Sequence, residues 1–332
     1  MLRKTLHARS RRAAGLAAAF IAGFAATGVS ADTLAQPKDD SLERAAADYV
    51  RFREDVAAVE AMPFDNAKVT REAHRLLAAH QPDGITAGWV AYAALVASDT
   101  PEFAESLKKE MKRKRNKRKG ELGGRDGLIS RLAQDPTYAR SLPGAKSAMD
   151  AVLAMTAQDG ARIVALGEAF KEQAYAMQRT AWGKKRISPP SERLTDAQSF
   201  ARARGGATAP TFVHQADDGV IAPSLASAKG EWSADWGATA PAGRMTEANA
   251  EVIMDRILNL AARYSTNTLN GKMVSVYAKN NKTERCLEMS RLTLDQCIAA
   301  TRTPYEEAFC LGEHALIDIA TCTGWVGGAG AS

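Results

Sequence analysis

Four cysteines near the C-terminal end constrain this chain more than any other feature. Cys286, Cys297, Cys310 and Cys322 lie within 37 residues of a chain of 332. An α-helix rises about 1.5 Å per residue, so Cys286 and Cys297 would stand about 16 Å apart on one helix. A disulfide needs α-carbons about 4.4 to 6.8 Å apart. The segment must therefore fold back on itself before these cysteines can pair.

The fold-back is predicted at Thr303-Pro304, between two antiparallel helices. Thr303 is a suitable N-cap residue, and proline is favoured in the first position of a helix. Glu306, three residues after Thr303, completes the pattern of a capping box. The sequence therefore predicts a C-terminal helical hairpin.

Residue numbers also indicate which cysteines pair. Residues that face each other across two antiparallel helices have a nearly constant sum of residue numbers. The sum is 608 for Cys286 with Cys322 and 607 for Cys297 with Cys310, and half of either value falls on the predicted turn. Of the three possible connectivities, the nested one, Cys286-Cys322 with Cys297-Cys310, is therefore favoured.

This arrangement resembles the twin CX9C helical hairpins of the mitochondrial intermembrane space. The spacings here are ten and eleven residues, and no further motif is shared, so the resemblance implies hairpin geometry only. The alternative is a zinc site. Cys310 and His314 lie one helix turn apart, and Cys286 and Cys297 could complete four ligands.

The N-terminal end predicts export. Five cations precede an apolar run from Ala13 to Val29, which ends in the small-residue site Val29-Ser30-Ala31. We expect residues 1–31 to be a secretory signal peptide, with a retained membrane anchor as the alternative. Thiols oxidise outside the cytoplasm, which favours disulfides over zinc. The predicted localisation is periplasmic or secreted, in a bacterium.

The rest of the chain predicts a mainly α-helical fold, because apolar residues recur at helical spacing over most of its length. One stretch, Lys272 to Ala278, is predicted as a short strand or extended piece. We expect a helical domain over 32–182, an irregular Gly/Ala/Pro-rich linker over 183–245, a C-terminal helical segment with the stapled hairpin over 246–323, and a tail over 324–332.

A basic arm, residues 108–119, has the sequence KKEMKRKRNKRK and a net charge of +8. The whole chain carries +6; removing the five leader cations leaves +1, so the mature chain outside the arm carries −7. Such a segment is expected to bind an anionic partner with salt-sensitive affinity, and a solvated arm is the simpler alternative. The residues assigned to this contact are Lys112, Arg113, Lys114, Arg115, Lys117, Arg118 and Lys119.

Motifs for catalysis, cofactors or metals are not evident. His74 and His80 are six residues apart and fall on different faces of a helix, so a shared metal is disfavoured. The residues Glu306, Glu307, Glu313 and His314 could form an acid-base cluster, although a charged helix surface explains them equally well. The sequence therefore predicts neither a catalytic site nor a cofactor.

The leading hypothesis is an exported, non-enzymatic helical envelope protein whose basic arm contacts an anionic partner. The expected partner is phospholipid, lipopolysaccharide or an envelope protein; nucleic acid is disfavoured because no aromatic residue is interleaved in the arm. The alternative is an enzyme acting on envelope glycan, with Trp232 or Trp236 at the substrate. Such an enzyme requires a cleft with two carboxylates about 5 to 9.5 Å apart.

Overall fold

The computed structural model describes residues 41–116, 120, 122–205, 214–215, 219–220 and 247–326. These residues belong to one compact unit that begins at Gln36. The predicted leader and both linker tryptophans lie outside the described residues. None of the helices in the described ranges is long and apolar enough to cross a bilayer.

The fold is mainly α-helical, as predicted, and the only strands among the described residues are two antiparallel pieces of two residues each. The elements in chain order are α1 (Leu42–Glu60), α2 (Ala67–Leu77), α3 (Pro82–Asp99), α4 (Pro101–Met111), α5 (Gly124–Gln134), a 3₁₀ turn (Tyr138–Ser141), α6 (Ala145–Met177), α7 (Pro190–Gly205), β1 (His214–Gln215), β2 (Gly219–Val220), α8 (Glu247–Ser265), α9 (Gly271–Tyr277), α10 (Asn281–Ala300), α11 (Pro304–Cys310), a π-helical segment (Leu311–Ile317) and α12 (Asp318–Val326).

Helix α3 lies at the centre of the hydrophobic core. Its side chains are buried on every face, as expected for a helix without a polar stripe. It contacts α1, α6, α8 and α10, so helices from both sides of the segment 183–245 share one core. Gly88 allows α1 to approach closely, because a Cβ at this position would lie 2.6 Å from the backbone nitrogen of Tyr49.

A buried polar cluster joins α1, α3 and α6 within this core. Arg53 donates to the hydroxyl of Tyr92 at 2.6 Å and to Asp159 at 3.2 Å, and Tyr49 donates to Asp159 at 2.9 Å. Burial raises the pKa of Asp159, and the charge of Arg53 opposes that rise. Because buried charges require partners, these bonds fix the rotation of the three helices about their axes.

The C-terminal hairpin forms as predicted, with nested disulfides. The α-carbons are 5.6 Å apart in Cys286–Cys322 and 5.7 Å apart in Cys297–Cys310. Every cysteine is paired, so none can act as a zinc-binding thiolate. Pro304 is the first residue of α11, and the Glu306 carboxylate accepts from the backbone N–H of Thr303 at 2.9 Å, as in a capping box.

The π-helical segment explains why the two cysteine spacings differ. Eleven residues make about three turns of an α-helix, so Cys286 and Cys297 share a face of α10. Cys310 and Cys322 are twelve residues apart and would be about 120° out of alignment on a regular helix. The π turns at Leu311–Ile317 absorb the extra residue and return both sulfur atoms to the face that meets α10.

The same π segment packs against the middle of α6 through two glycines. A Cβ on Gly167 would lie 2.7 Å from the carbonyl oxygen of Gly312, and a Cβ on Gly312 would lie 2.6 Å from that of Gly167. Neither position has room for a side chain. The disulfide-linked hairpin is thereby joined to the longest helix of the fold.

Two segments differ from the sequence-based expectation. The stretch 183–245 was expected to be irregular, but its first part contains α7, which begins at Pro190. Only Leu194 and Ala197 pack on the core beside a buried Arg193, so the apolar pattern is too short to reveal a helix. The expected strand at 272–278 is instead helix α9, because the Asn270 side chain caps it by accepting from the N–H of Met273.

A second buried cluster holds α7 against the hairpin. Glu307 is fully buried and accepts from Arg193 at 2.9 Å and from the hydroxyl of Thr70 at 2.8 Å. Arg193 also donates to the carbonyl oxygen of Thr301 at 2.8 Å. Burial alone would raise the pKa of Glu307, but the hydrogen bond from His74 and the charge of Arg193 outweigh it and lower that pKa.

We predict that each disulfide contributes measurably to stability. Replacing Cys286 and Cys322 with serine should lower the free energy of unfolding by about 4 kcal/mol, and replacing Cys297 and Cys310 by about 3 kcal/mol, because the outer bridge closes the longer loop. Urea denaturation of the two double variants measures both values. An unfolding midpoint that reductant does not change would contradict this expectation.

We also predict an acid-dependent loss of stability from Glu307. Its folded pKa is lowered, so its contribution is complete above the unfolded glutamate value of about 4.3 and is lost as pH falls through the folded pKa. Glu307→Gln should cost about 3 to 5 kcal/mol near neutral pH, since Arg193 would be buried without a counter-charge. It should also flatten the decline of the urea midpoint in acid. Glu306→Gln, which keeps an acceptor oxygen at the helix cap, should retain the wild-type decline.

Candidate functional site

The basic arm begins in the last turn of α4 and continues beyond the end of that helix at Met111. Residues 112–116 are all exposed, and 117–119, which include three of the predicted contact residues, lie outside the described residues. Arg113 forms an ion pair with Glu110 at 3.4 Å. Within the part of the chain that the structure describes, Lys112, Lys114 and Arg115 have no ion-pair partner.

The base of the arm is fixed to the body of the protein. Glu110 accepts from Arg131 at 2.7 Å and from the hydroxyl of Tyr138 at 3.1 Å, and this joins α4 to α5 and to the 3₁₀ turn. The N–H of Gly124 donates to the carbonyl oxygen of Arg113 at 2.7 Å. Gly123 lies directly against the backbone of residues 113–115, where no side chain would fit. The arm therefore leaves the fold from a defined position.

A groove on another part of the surface lies between α1, α3, α9 and the start of α10. It consists of a pocket of about 620 Å³ and an adjoining pocket of about 330 Å³, which share the lining residues Arg44, Asp48, Asp83 and Gly84. Cations and carboxylates both line it, and among the described residues no Trp, Tyr or Phe side chain does. The described lining is therefore suited to a polar ligand.

His80 lines the smaller pocket and shares a carboxylate with an arginine of α7. Its Nε2 lies 2.7 Å from Asp55 Oδ2, and Arg204 binds both oxygens of Asp55, at 2.5 Å and 3.0 Å. The Asp55 and His80 side chains are about nine-tenths buried. Sequence reasoning missed this cluster because Asp55 lies on the apolar face of α1 and Arg204 in a segment expected to be irregular.

The structure separates the histidines and acids that the sequence singled out. His74 lies 3.5 Å from Glu307, whereas His80 contacts Asp55, so the two do not share a site. Glu306 caps α11, and His314 Nδ1 lies 2.9 Å from Asp318. No acid-base cluster therefore forms around His314. Among the residues described, no group of three or more His, Cys, Asp or Glu could hold a metal ion.

Comparison with protein-family models, with curated proteins and with solved structures finds no match to this chain. The proposals on function therefore start from the chemistry of the protein's own surface.

We predict that a methyl group at Gly123 displaces the base of the arm. In Gly123→Ala the new Cβ would lie 2.6 Å from the carbonyl oxygen of Arg113, so the backbone of 113–115 must shift. Trypsin should then cleave the arm faster, and stability should fall by about 1 to 3 kcal/mol. Mass spectrometry of the limited digest measures the first effect.

The matched control is Gly160→Ala, in the middle of α6. A Cβ at Gly160 meets nothing within 4 Å, so this variant should keep the wild-type rate of arm cleavage. It should gain up to about 1 kcal/mol of stability, because alanine favours the helix. Equal cleavage rates in the two variants would show that Gly123 does not hold the arm.

Proposed function

We propose that this protein is an exported helical binding module, without enzymatic activity, whose basic arm contacts an anionic partner. One observation carries this proposal. Lys112, Lys114 and Arg115 are exposed and form no ion pair within the described structure. They stand on a base that is hydrogen-bonded to α5. Cations of a folded surface usually have acidic neighbours. Here Glu110, two residues before Lys112, is already bound to Arg113, Arg131 and Tyr138.

The physical basis of binding is the local concentration of charge. Nine lysines or arginines within twelve residues create a positive potential on a mature chain that is otherwise acidic. Each cation near an anionic membrane surface contributes about 1 kcal/mol, and salt screens this attraction over a distance of roughly 8 to 10 Å. The chemistry fits a partner with closely spaced phosphates, such as lipopolysaccharide or phospholipid head groups.

The two disulfides support a location outside the cytoplasm. Both bridges join neighbouring helices with ordinary Cα separations, and such bonds form and persist in oxidising compartments. The predicted signal peptide at residues 1–31 agrees with such a location. We therefore propose that the protein is periplasmic or secreted and that its partner is lipid phosphate or an envelope protein.

The glycan-hydrolase alternative has less support. The groove contains the carboxylates of Asp48 and Asp83, yet none of the described residues that line it is a Trp, Tyr or Phe on which a sugar could stack. Trp232 and Trp236, the residues expected at the substrate, lie outside the described residues. No particular reaction is favoured by this geometry.

We predict that neutralising the arm weakens binding to lipopolysaccharide. The triple variant Lys112→Gln, Lys114→Gln, Arg115→Gln should lose at least about tenfold in affinity at low ionic strength, because three attractive charges are removed. The difference from wild type should shrink as salt is added. Affinity measured across a salt series, with lipopolysaccharide as the ligand, tests both expectations.

The control removes the same charge elsewhere. Lys68, Lys272 and Arg285 are exposed and have no ion-pair partner among the described residues, so their triple glutamine variant should bind within about twofold of wild type. Acetylation footprinting of the wild-type protein should show protection of Lys112 and Lys114 on binding, but not of Lys68. Equal loss in both triple variants, or no binding by the wild type, would refute the role of the arm.

A further inference from the structure

The end of α6 and the turn that follows carry a second concentration of positive charge. Residues 173–190 include four cations and no acid. All four are exposed, as is a fifth on the neighbouring hairpin turn, and none has an ion-pair partner among the described residues. These five residues are Arg179, Lys184, Lys185, Arg186 and Arg302.

Aromatic side chains lie beside these cations. Tyr175 is 57% exposed, and its ring packs against that of Phe309 with centroids 6.2 Å apart. Trp182 and Phe309 are half-buried and pack on the same small apolar cluster as Ala174 and Met177. We refer to the rings of Tyr175, Trp182 and Phe309 and the five cations as the aromatic–cationic surface.

The turn that carries this surface is held by backbone contacts. The N–H of Gly183 donates to the hydroxyl of Thr180 at 2.9 Å, and the N–H of Ile187 donates to the carbonyl oxygen of Arg302 at 3.0 Å. Gly183 is buried against the carbonyl group of Met177, where a side chain would not fit. The backbone that carries these cations is therefore held in place next to Trp182 and the hairpin turn.

Stabilisation of the helix end does not account for this charge. A cation is favoured near a helix C-terminus, but the effect falls off within the last turn. Arg179 is close enough to the end of α6 at Met177 to benefit, whereas Lys184, Lys185 and Arg186 lie seven to nine residues beyond it. Among the acids on adjoining segments, Glu168 and Glu313 are both bonded to Lys171, and Glu306 accepts from the backbone N–H of Arg302 at 2.6 Å. Glu172 and Glu192 flank the segment, and neither forms an ion pair with these cations among the described residues.

We propose that the aromatic–cationic surface binds the head-group region of an anionic phospholipid bilayer. Lysine and arginine are attracted to anionic lipid, and tyrosine and tryptophan favour the boundary between head groups and acyl chains. Free phosphate would use the cations but would leave the exposed ring of Tyr175 without a role. Stacking of nucleic-acid bases is disfavoured, because the Tyr175 and Phe309 rings are inclined at 71° and do not form a parallel platform.

This surface is distinct from the basic arm. Helix α6 has 33 residues and is therefore about 50 Å long. Its start, at Gly144, packs against residues 102–103 at the beginning of α4, and α4 extends only about 16 Å to the base of the arm. The base of the arm and the end of α6 are thus about 30 Å or more apart. Each can be altered without the other.

The test isolates this surface in a protein whose arm is already neutralised at Lys112, Lys114 and Arg115. Binding is measured to vesicles of equimolar phosphatidylglycerol and phosphatidylcholine. Adding Lys184→Gln, Lys185→Gln and Arg186→Gln should weaken partition at least about tenfold, since each cation contributes about fivefold near anionic lipid. Tyr175→Ser should weaken the part of binding that persists at high salt, because it removes the ring and leaves every charge.

The control adds Lys68→Gln, Lys272→Gln and Arg285→Gln to the same arm-neutralised protein and should leave partition unchanged. Circular dichroism melting confirms that each exposed variant is folded. Equal partition of the Lys184–Arg186 variant and the control would overturn the proposal, whatever the arm binds. The proposal would also be overturned if the Lys184–Arg186 variant lost binding to a single-stranded oligonucleotide while its partition to vesicles stayed unchanged. That outcome would assign the surface to nucleic acid.

Discussion

The two nested disulfides fix α10 against the helix that follows it, and the polar contacts around Glu307 depend on that position. Four sulfur atoms must meet in two pairs, so both helices must present their cysteines on the facing sides. The second helix can do this only with the π turns at Leu311–Ile317, because its cysteines are one residue further apart than those of α10. The same turns place Gly312 against Gly167, and so the covalent hairpin determines how α6 packs.

Buried charge performs a similar role in the noncovalent core. Arg53 and Asp159 join α1 to α6, and Arg193 and Glu307 join α7 to α11. A neutral side chain also donates a hydrogen bond to each carboxylate, Tyr49 to Asp159 and Thr70 to Glu307. These bonds replace part of the hydration that the carboxylates lose on burial. Such pairs add little net stability compared with apolar residues, but losing one partner is costly. They therefore favour a single arrangement of these helices.

The surface differs from the core in carrying clusters of cations that have no ion-pair partner among the described residues. The base of the arm and the turn after α6 both carry exposed lysine and arginine beside hydrogen-bonded backbone. A protein that is otherwise acidic gains no stability from such clusters, since like charges repel. We propose that both clusters contact anionic partners, and the aromatic rings near the second cluster are the reason for proposing a bilayer rather than free phosphate there.

Much of this architecture could be predicted from local patterns. The positions of the cysteines and the Thr303-Pro304 turn determined the hairpin and its nested pairing, because a helix has a fixed rise and a fixed number of residues per turn. The basic arm was evident from charge alone. Helix α7 and the Asp55–His80–Arg204 cluster were not, since their stability comes from partners up to 149 residues away in the sequence.

The aromatic–cationic surface shows the same division. The cations at 184–186 are visible in the sequence, but Phe309 reaches Tyr175 only after the hairpin packs against α6. The sequence by itself determined which residues are charged, where the C-terminal hairpin turns and which cysteines can pair, because these depend on charge and on the fixed geometry of a helix. Only the tertiary structure decided which side chains meet across helices and which charges are left without a partner, because long-range packing sets those distances.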